Sequence, residues 1–400
     1  IIFKALINRM NREEKYLISI CNAYLNQQTL NLDKSVDYSR LFSVCREQNL
    51  IAVAFSVIKN AANKDIVPSD IYSLFENGFY ETIIRFDDQT KVMTQLDDAL
   101  CKNKIRHVFF KGAKIRIYYP VPEVRAMGDI DVLIDEKNRD FTKQTLLNSG
   151  FEIKNANGPV FDYVKDGVLI EVHTKIISGK VGNSNAENGF LDAINYAEFD
   201  EYRGKFDPSY HFAYLITHIA HHFWFYGAGI KLILDLAVME RKFDINYDEV
   251  LAFLDNIGLC EFAKLILTVC NKWFGSGKDY GIDTSMTEEF LSSFGAFGNA
   301  NRNTAAVVER KELESGKKPS KFKTKLRLLF PSYTKMKDLP YIKFINGRPR
   351  LLPLAWICRI FYNLKHRRDF VASTVAEIGT AESFEAAQRE LDYFKEIGLL

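Results

Sequence analysis

Two aspartates one residue apart occupy the run Asp129-Ile130-Asp131-Val132-Leu133-Ile134-Asp135, and a lone glutamate interrupts a second apolar run, Val168-Leu169-Ile170-Glu171-Val172. Successive side chains on a strand point to opposite faces. Asp129 and Asp131 therefore share one face, about 7 Å apart, where like charges repel. A divalent cation between them removes the conflict, and hard oxygen ligands favour Mg²⁺ or Mn²⁺ over zinc. If the Glu171 strand lies beside the Asp129 strand, three carboxylates converge. They can then hold two cations, one activating an attacking hydroxyl and the other stabilising a leaving group. Asp162 and Asp166 lie on the same hairpin as Glu171, but a carboxylate amid apolar neighbours needs a reason, which favours Glu171. His173 shares the Glu171 face and is placed to orient substrate.

Upstream, Phe109-Phe110-Lys111-Gly112-Ala113 reads as a strand-to-helix junction with a glycine at the turn. Free amides at a helix start attract phosphate, and glycine permits close backbone approach. Lys111 and Arg125 add positive charge at the same edge, so a triphosphate bound there would bring its α-phosphorus to the carboxylates. Two other patterns carry less. His218, His221 and His222 share a helix, but no H-E-x-x-H motif accompanies them, so core or pocket lining is expected. Gly275-Ser276-Gly277-Lys278 lacks the spacing of a phosphate loop and has Asp279 where Ser or Thr is required.

The elements that must position these residues follow from periodicity. Residues 12–100 read as helices: Leu17, Ile18, Cys21 and Leu25 have amphipathic spacing, and Pro68-Ser69-Asp70 looks like a helix start with Ser69 or Asp70 as the cap. Residues 106–110 read as a short strand, 113–119 as a helical segment stopped by Pro120 and Pro122, 129–135 as a strand, and 137–148 as a helix. Strands 160–165 and 168–173 are joined by Asp166-Gly167, the strongest short hairpin signal. Residues 105–175 thus form a small mixed unit of three or four strands. Helices return over 211–241, 247–257 and 261–274. Residues 316–325 read as a polar connector, and helices 354–368 and 382–397 close the chain. No internal repeat is visible.

A chain of 400 residues with 47% hydrophobic and 26% charged residues is expected to fold into two or three packed units. No apolar run reaches the roughly 18 residues needed to span a bilayer, and the opening residues are too short for a secretory segment. The first methionine is Met10, so the residues before it read as an expression or start-site artefact. Six cysteines without a C-x-x-C pair read as reduced thiols of a cytoplasmic protein, not a disulfide frame or zinc site. The net charge of +2 conceals an asymmetry. Residues 302–368 hold 18 Lys/Arg against 4 Asp/Glu, a net of +14, and the last 32 residues hold 2 against 7. Such a basic stretch is most often a solvated face; nucleic-acid contact comes next and membrane-surface docking last.

The runs Phe110-Lys111-Gly112, Tyr119-Pro120, Arg125-Ala126-Met127-Gly128-Asp129-Ile130-Asp131 and Ile170-Glu171-Val172-His173 together resemble the bacterial "uncharacterised nucleotidyltransferase" family of the DNA polymerase β-like superfamily. Gly229-Ile230-Lys231-Leu232-Ile233-Leu234-Asp235-Leu236 and Leu329-Phe330-Pro331-Ser332 are similar to later segments of that family. The resemblance spans roughly residues 15–370. It implies Asp129 and Asp131 as metal ligands, and Glu171 as the third acid and base. Lys111, Gly112, Arg125 and Gly128 would contact the nucleotide, with Gly112 as the triphosphate-loop glycine. Two departures stand out: Ala113 replaces the Ser or Gly of many relatives, and Asp129 lies 17 positions after Gly112.

The expected fold is α+β, a small mixed sheet flanked by helical regions. Its units would be 1–86 (N-terminal helices), 87–205 (nucleotidyltransferase core), 206–300 (helical) and 301–400 (basic, helical). The expected reaction moves a nucleoside monophosphate from an NTP to a hydroxyl with Mg²⁺ or Mn²⁺, releasing pyrophosphate. The acceptor is open among a small molecule, a protein side chain and a tRNA end. The alternative is a catalytically silent module of the same fold that binds a protein or nucleic acid.

Overall fold

The computed structural model describes residues 10–156, 158–225, 227–296, 309–310, 313–314, 321–337, 339–366, 376, 378 and 380–400. The chain divides into two units, one of residues 4–299 with 397–399 and the other of residues 1–3, 300–396 and 400. The architecture is α+β, with a seven-stranded mixed sheet among many helices.

The larger unit begins with α1 (Arg12–Leu25), α2 (Tyr38–Glu47) and α3 (Ile51–Ile58). A capping box starts α1: the Asn11 side chain accepts from the Glu14 amide, and the Glu14 carboxylate accepts from the Asn11 amide. Next comes α4 (Ser69–Lys102), 34 residues and so about 50 Å long at 1.5 Å per residue. Its N-cap is Pro68, without a side-chain capping bond, so neither Ser69 nor Asp70 caps it. Proline's fixed φ already leads the chain into the helix.

The strands are β1 (His107–Phe109), β2 (Asp129–Ile134), β3 (Glu152–Asn155), β4 (Val160–Lys165), β5 (Val168–His173), β6 (Ala197–Asp200) and β7 (Arg203–Phe206), in the order β3-β4-β5-β2-β1-β7-β6. Neighbours are antiparallel except β2 with β5 and β1 with β7. The hairpin turn holds Asp166 at φ 50° and Gly167 at φ 77°, the two positive values a type I′ turn requires. Residues 105–175 therefore supply five strands instead of three or four. The 197–206 hairpin adds two more, beyond those expected from the sequence. α5 (Lys111–Ile115) follows β1, α6 (Arg139–Asn148) follows β2, and the short α7 (Ala186–Gly189) precedes β6.

Alternation along β2 and β5 decides the sheet's two faces. Ile130, Val132, Ile134, Ile170 and Val172 are buried with Val92, Leu96 and Leu100 of α4 and Leu146 of α6. The odd-numbered residues, among them Asp129, Asp131, Glu171 and His173, must then occupy the other face. That face is closed by helices α8 (Pro208–Phe225) and α9 (Ile230–Lys242); Tyr214 of α8 meets Phe110 with ring centroids 5.5 Å apart. α10 (Tyr247–Asn256), α11 (Cys260–Phe274) and α12 (Ser285–Ser293) complete the unit.

In α8, His211 is buried, its ring lies against Phe206 and Tyr214, and its Nε2 has no hydrogen-bond partner. Burial, with Lys114 nearby, pushes its pKa down to about 3. A histidine whose folded pKa lies below its unfolded value of 6.5 contributes stability above pH 6.5. That contribution is lost as pH falls, because the unfolded chain takes up the proton first. At roughly 1.4 kcal/mol per pH unit, moving from pH 7 to pH 5 should cost about 2 kcal/mol through this residue. Urea midpoints at both pH values should therefore drop less for His211→Leu than for the parent. Equal drops would show that His211 does not carry this dependence.

In the smaller unit, helix Leu352–His366 contributes Ala355 to a small core with Met336, Ile342 and Ile345, and Lys321–Leu329 and Ala381–Glu396 form further helices. Lys321 to Lys325, expected in a connector, lie in a helix instead; 316–320 fall outside the described residues. Among the described residues no helix is long and apolar enough to cross a membrane.

Candidate active site

The parallel pairing of β2 with β5 sets Asp131 directly beside Glu171 and Leu133 beside His173. Neighbouring strands lie about 4.8 Å apart. The predicted adjacency of the three acids is therefore met by two strands and one turn. Asp162 pairs with Glu171 from the other side, adding a fourth carboxylate to the neighbourhood.

Asp131 is the hub. Its Oδ1 accepts from Lys111 Nζ at 2.7 Å and lies 2.9 Å from His173 Nε2, which is 3.3 Å from Glu171 Oε2. Burial disfavours the Asp131 charge, but the Lys111 ammonium and His173 more than offset it and hold the carboxyl below its ordinary range. At Asp129 the same two cations also pull the pKa down but are outweighed. Burial and the charges of Asp131 and Glu171 push it up to about 7. His173 is raised despite its burial, because it hydrogen-bonds Asp131 and Glu171. Asp131, Glu171 and His173 each offer a ligand atom within 4.8 Å of the others, so they could share a cation.

Lys111 reaches Asp131 from a left-handed backbone, φ 48°, which costs a side-chain-bearing residue on the order of 1 kcal/mol or more. Gly112 is explained by packing. A Cβ there would stand 2.7 Å from Arg125 Nη1 and 3.1 Å from Met127 Cγ, so its close approach is to a side chain of the same protein. At Gly128, by contrast, a Cβ would meet nothing within 4 Å. Ala113 points into the core shared with Met127 and Ile130, away from the acid face.

Arg125 is buried in a two-bonded ion pair: Nε donates to Asp235 Oδ1 at 2.9 Å and Nη2 to Oδ2 at 2.7 Å. The Tyr119 hydroxyl donates to the same carboxylate at 2.7 Å. Lys231, one turn before Asp235 on α9, is also buried, and its Nζ donates to the Ala126 carbonyl at 2.5 Å. Burial and the charge of Arg125 push Lys231 down to about 7.

These groups surround a cavity of about 260 Å³. One wall carries Lys111, Gly112, Arg125, Gly128, Asp129 and Asp131, and the other carries His218, His222, Lys231 and Asp235 from α8 and α9. Its volume is close to the lower bound, about 300 Å³, of small-ligand pockets. Every nucleotide-contacting residue expected from sequence lines it, while Glu171 and His173 stand beside it through Asp131. The sequence motifs do not single out Lys231 and Asp235. Their signal was nonetheless present, as two opposite charges four residues apart in Ile230-Lys231-Leu232-Ile233-Leu234-Asp235-Leu236, a helix with no polar face. His218 and His222 line the cavity with their Nε2 atoms 3.2 Å apart, as expected for pocket-lining residues.

A strand-borne acid pair, a third acid at matching register on the adjoining strand and a lysine-bearing turn beside them define a nucleotidyltransferase-like site. The profile of the family described as "Uncharacterised nucleotidyltransferase" matches residues 34–275, more than half of the chain and all of these residues, and the chain belongs to that family. Membership carries a general nucleotidyl-transfer role. No curated protein and no solved structure matches the chain.

Proposed function

We propose that the protein moves a nucleoside monophosphate from an NTP to a hydroxyl acceptor, using Mg²⁺ or Mn²⁺ held by Asp129, Asp131 and Glu171. The observation that carries this is the crowding of the acids: Asp131 pairs with Glu171 across β2 and β5 with Asp129 on the same face, and burial with those two carboxylates pushes Asp129 up to about 7. A divalent cation, a hard acceptor for oxygen ligands, removes that repulsion. The donor set therefore fits such a cation. When bound, it supplies charge neutralisation at the triphosphate and eases deprotonation of the acceptor.

The chain's own residues have separable tasks in this reading. Lys111, at the cavity edge, donates to a phosphate oxygen. Lys231 faces the same space, and an incoming triphosphate draws it towards its charged form, because a nearby negative charge favours the ammonium. Arg125, locked by Asp235 and Tyr119, is a positioning residue that holds the 125–128 segment against Gly112. Glu171 takes the acceptor's proton, and His173, bonded to both Asp131 and Glu171, orients it. In domain terms, residues 87–205 are the catalytic unit and the helices of 206–300 close its pocket.

A silent module would follow if Ala113, in place of the Ser of many relatives, cost the site a phosphate-contacting hydroxyl. Ala113 packs in the core, so a hydroxyl there would face apolar neighbours. The active reading is therefore preferred.

The test is to incubate the protein with each labelled NTP, Mg²⁺ or Mn²⁺ and a cell extract, then ask which fraction becomes labelled. Mg²⁺ with the correct NTP should also raise the melting temperature. At a ligand concentration 100 times Kd, binding to the native state adds about 2.7 kcal/mol. A melt unmoved by all four NTPs with either metal would favour the silent module.

A further inference from the structure

On the face of the sheet opposite the acids, Asp97 and Cys101 stand one turn apart near the end of α4, facing His107 at the start of β1. Three ligand atoms, one each of oxygen, sulfur and nitrogen, lie within 4.8 Å of one another. We propose that Asp97, Cys101 and His107 form a second cation site, of the zinc class, separate from the carboxylate centre.

Two of the three ligands are already oriented by groups outside the trio. His107 is 1% exposed, and its Nδ1 lies 3.0 Å from the Ile105 carbonyl. A carbonyl only accepts, so Nδ1 carries the proton and Nε2 is the ligating atom, the arrangement typical of metal-bound histidine. The ring is further held edge-on against Phe109, with centroids 5.5 Å apart. Asp97 is anchored through its other oxygen: Arg203 of β7 contacts Oδ2 with Nε at 2.8 Å and Nη2 at 2.7 Å. That leaves Oδ1 towards His107 Nε2 at 2.8 Å and Cys101 Sγ at 3.9 Å.

Those spacings are close to what a tetrahedral cation needs. Bonds of about 2.0 Å to nitrogen and oxygen and about 2.3 Å to sulfur require an N–O edge of about 3.3 Å and an S–O edge of about 3.5 Å. The first edge must open and the second close by about half an ångström each, within reach of side-chain rotation. Asp97 and Cys101 are only half-buried, so water can supply the fourth ligand.

The donor set selects the metal. A thiolate with an imidazole suits Zn²⁺ or Co²⁺ and is a poor match for Mg²⁺. Without metal, one proton lies between His107 Nε2 and Asp97 Oδ1, and another on the Cys101 thiol. Metal entry releases both to solvent, so no oxidant or reductant is involved. The cysteine spacing gave no hint of this site, because its other two ligands are aspartate and histidine.

The test uses the full chain with excess Mg²⁺, titrated with Co²⁺. One saturable equivalent should bring up a thiolate-to-cobalt charge-transfer band and visible bands of tetrahedral intensity. Cys101→Ser should abolish the charge-transfer band, and Cys260→Ser should keep it. Asp131→Asn, which alters only the carboxylate centre, should keep it as well. His107→Gln should weaken cobalt binding at least ~10-fold. Because that change also removes a buried contact, a second measurement uses unmutated protein: saturating Zn²⁺ should slow alkylation of Cys101, read by peptide mass spectrometry, at least ~10-fold. No charge-transfer band in the parent, a band that survives Cys101→Ser, or an unchanged alkylation rate each overturns the proposal. None of these outcomes bears on the nucleotidyl-transfer reading.

Discussion

Asp129→Asn should abolish label transfer while making the metal-free protein more stable at pH 8. Both effects have one cause. The Asp129 carboxyl is pushed up to about 7 against an ordinary value of 3.8, by burial first and then by Asp131 and Glu171. A carboxyl whose folded pKa is raised costs stability above that value, and the cost fades as pH falls from 7 to 3.8. Asparagine removes the charge, so the variant's advantage should be full at pH 8, shrink through pH 5 and vanish when Mg²⁺ stabilises the parent. Transfer should fall at least ~10²-fold, since losing even an outer-shell partner of a metal costs 10–100-fold. Asp131→Asn should lose transfer as well, but without the gain in stability, because Asp131 holds the Lys111 ammonium in a buried site. Glu171→Gln separates the third acid. Mg²⁺-NTP binding should largely survive while transfer falls at least ~10²-fold, the low end for losing a general base. Calorimetric NTP affinity beside the transfer assay reads all three. If Asp129→Asn transfers at the parent rate, Asp129 is not a metal ligand. If Glu171→Gln does, Asp162, its cross-strand neighbour, becomes the acid to test.

The parts of this site that were legible in sequence are those fixed by local pattern. Alternation in Asp129-Ile130-Asp131-Val132 sets which face the acids share, and Asp166-Gly167 fixes the hairpin that carries Glu171. Once β5 pairs with β2, apolar residues on the core side leave Glu171 only one face to occupy. Less legible were features made by distant pairing or by weak pattern. The 197–206 hairpin is short and half-exposed, with Glu198, Asp200, Arg203 and Lys205 diluting any strand signal. The cavity's second wall comes from α8 and α9, about a hundred residues after Gly112, and nothing near Arg125 announces Asp235. By motif Gly112 reads as a phosphate-approach glycine, yet its most crowded neighbour is Arg125 Nη1. Its residue type was readable; the reason for it was not. Ala113 shows the same limit, since a motif position says nothing about which way its side chain points.

The largest loss of stability should come from breaking the Arg125–Asp235 pair. Both groups are fully buried, and the pair is bonded at two points, with Tyr119 as a third partner. Burial disfavours both charges, and each holds the other ionised: Arg125 is raised and Asp235 lowered from their ordinary values. Asp235→Asn leaves a guanidinium in the protein interior with no counter-charge, beside an already strained Lys231. Such a change typically costs about 3–5 kcal/mol, and a single fold of this size has only about 5–15 kcal/mol to lose. A melt of Asp235→Asn should therefore fall sharply or show no cooperative transition. Replacing both partners at once, Arg125→Met with Asp235→Leu, removes the unpaired charge along with the pair and should recover much of that loss. The double variant then isolates function from stability. If Arg125 is the strut that keeps residues 125–128 against Gly112, the folded double variant should still show a raised KM for NTP, because the cavity wall beside Lys111 has lost its brace. A double variant that folds and keeps the parent KM would reduce the pair to a stabilising contact.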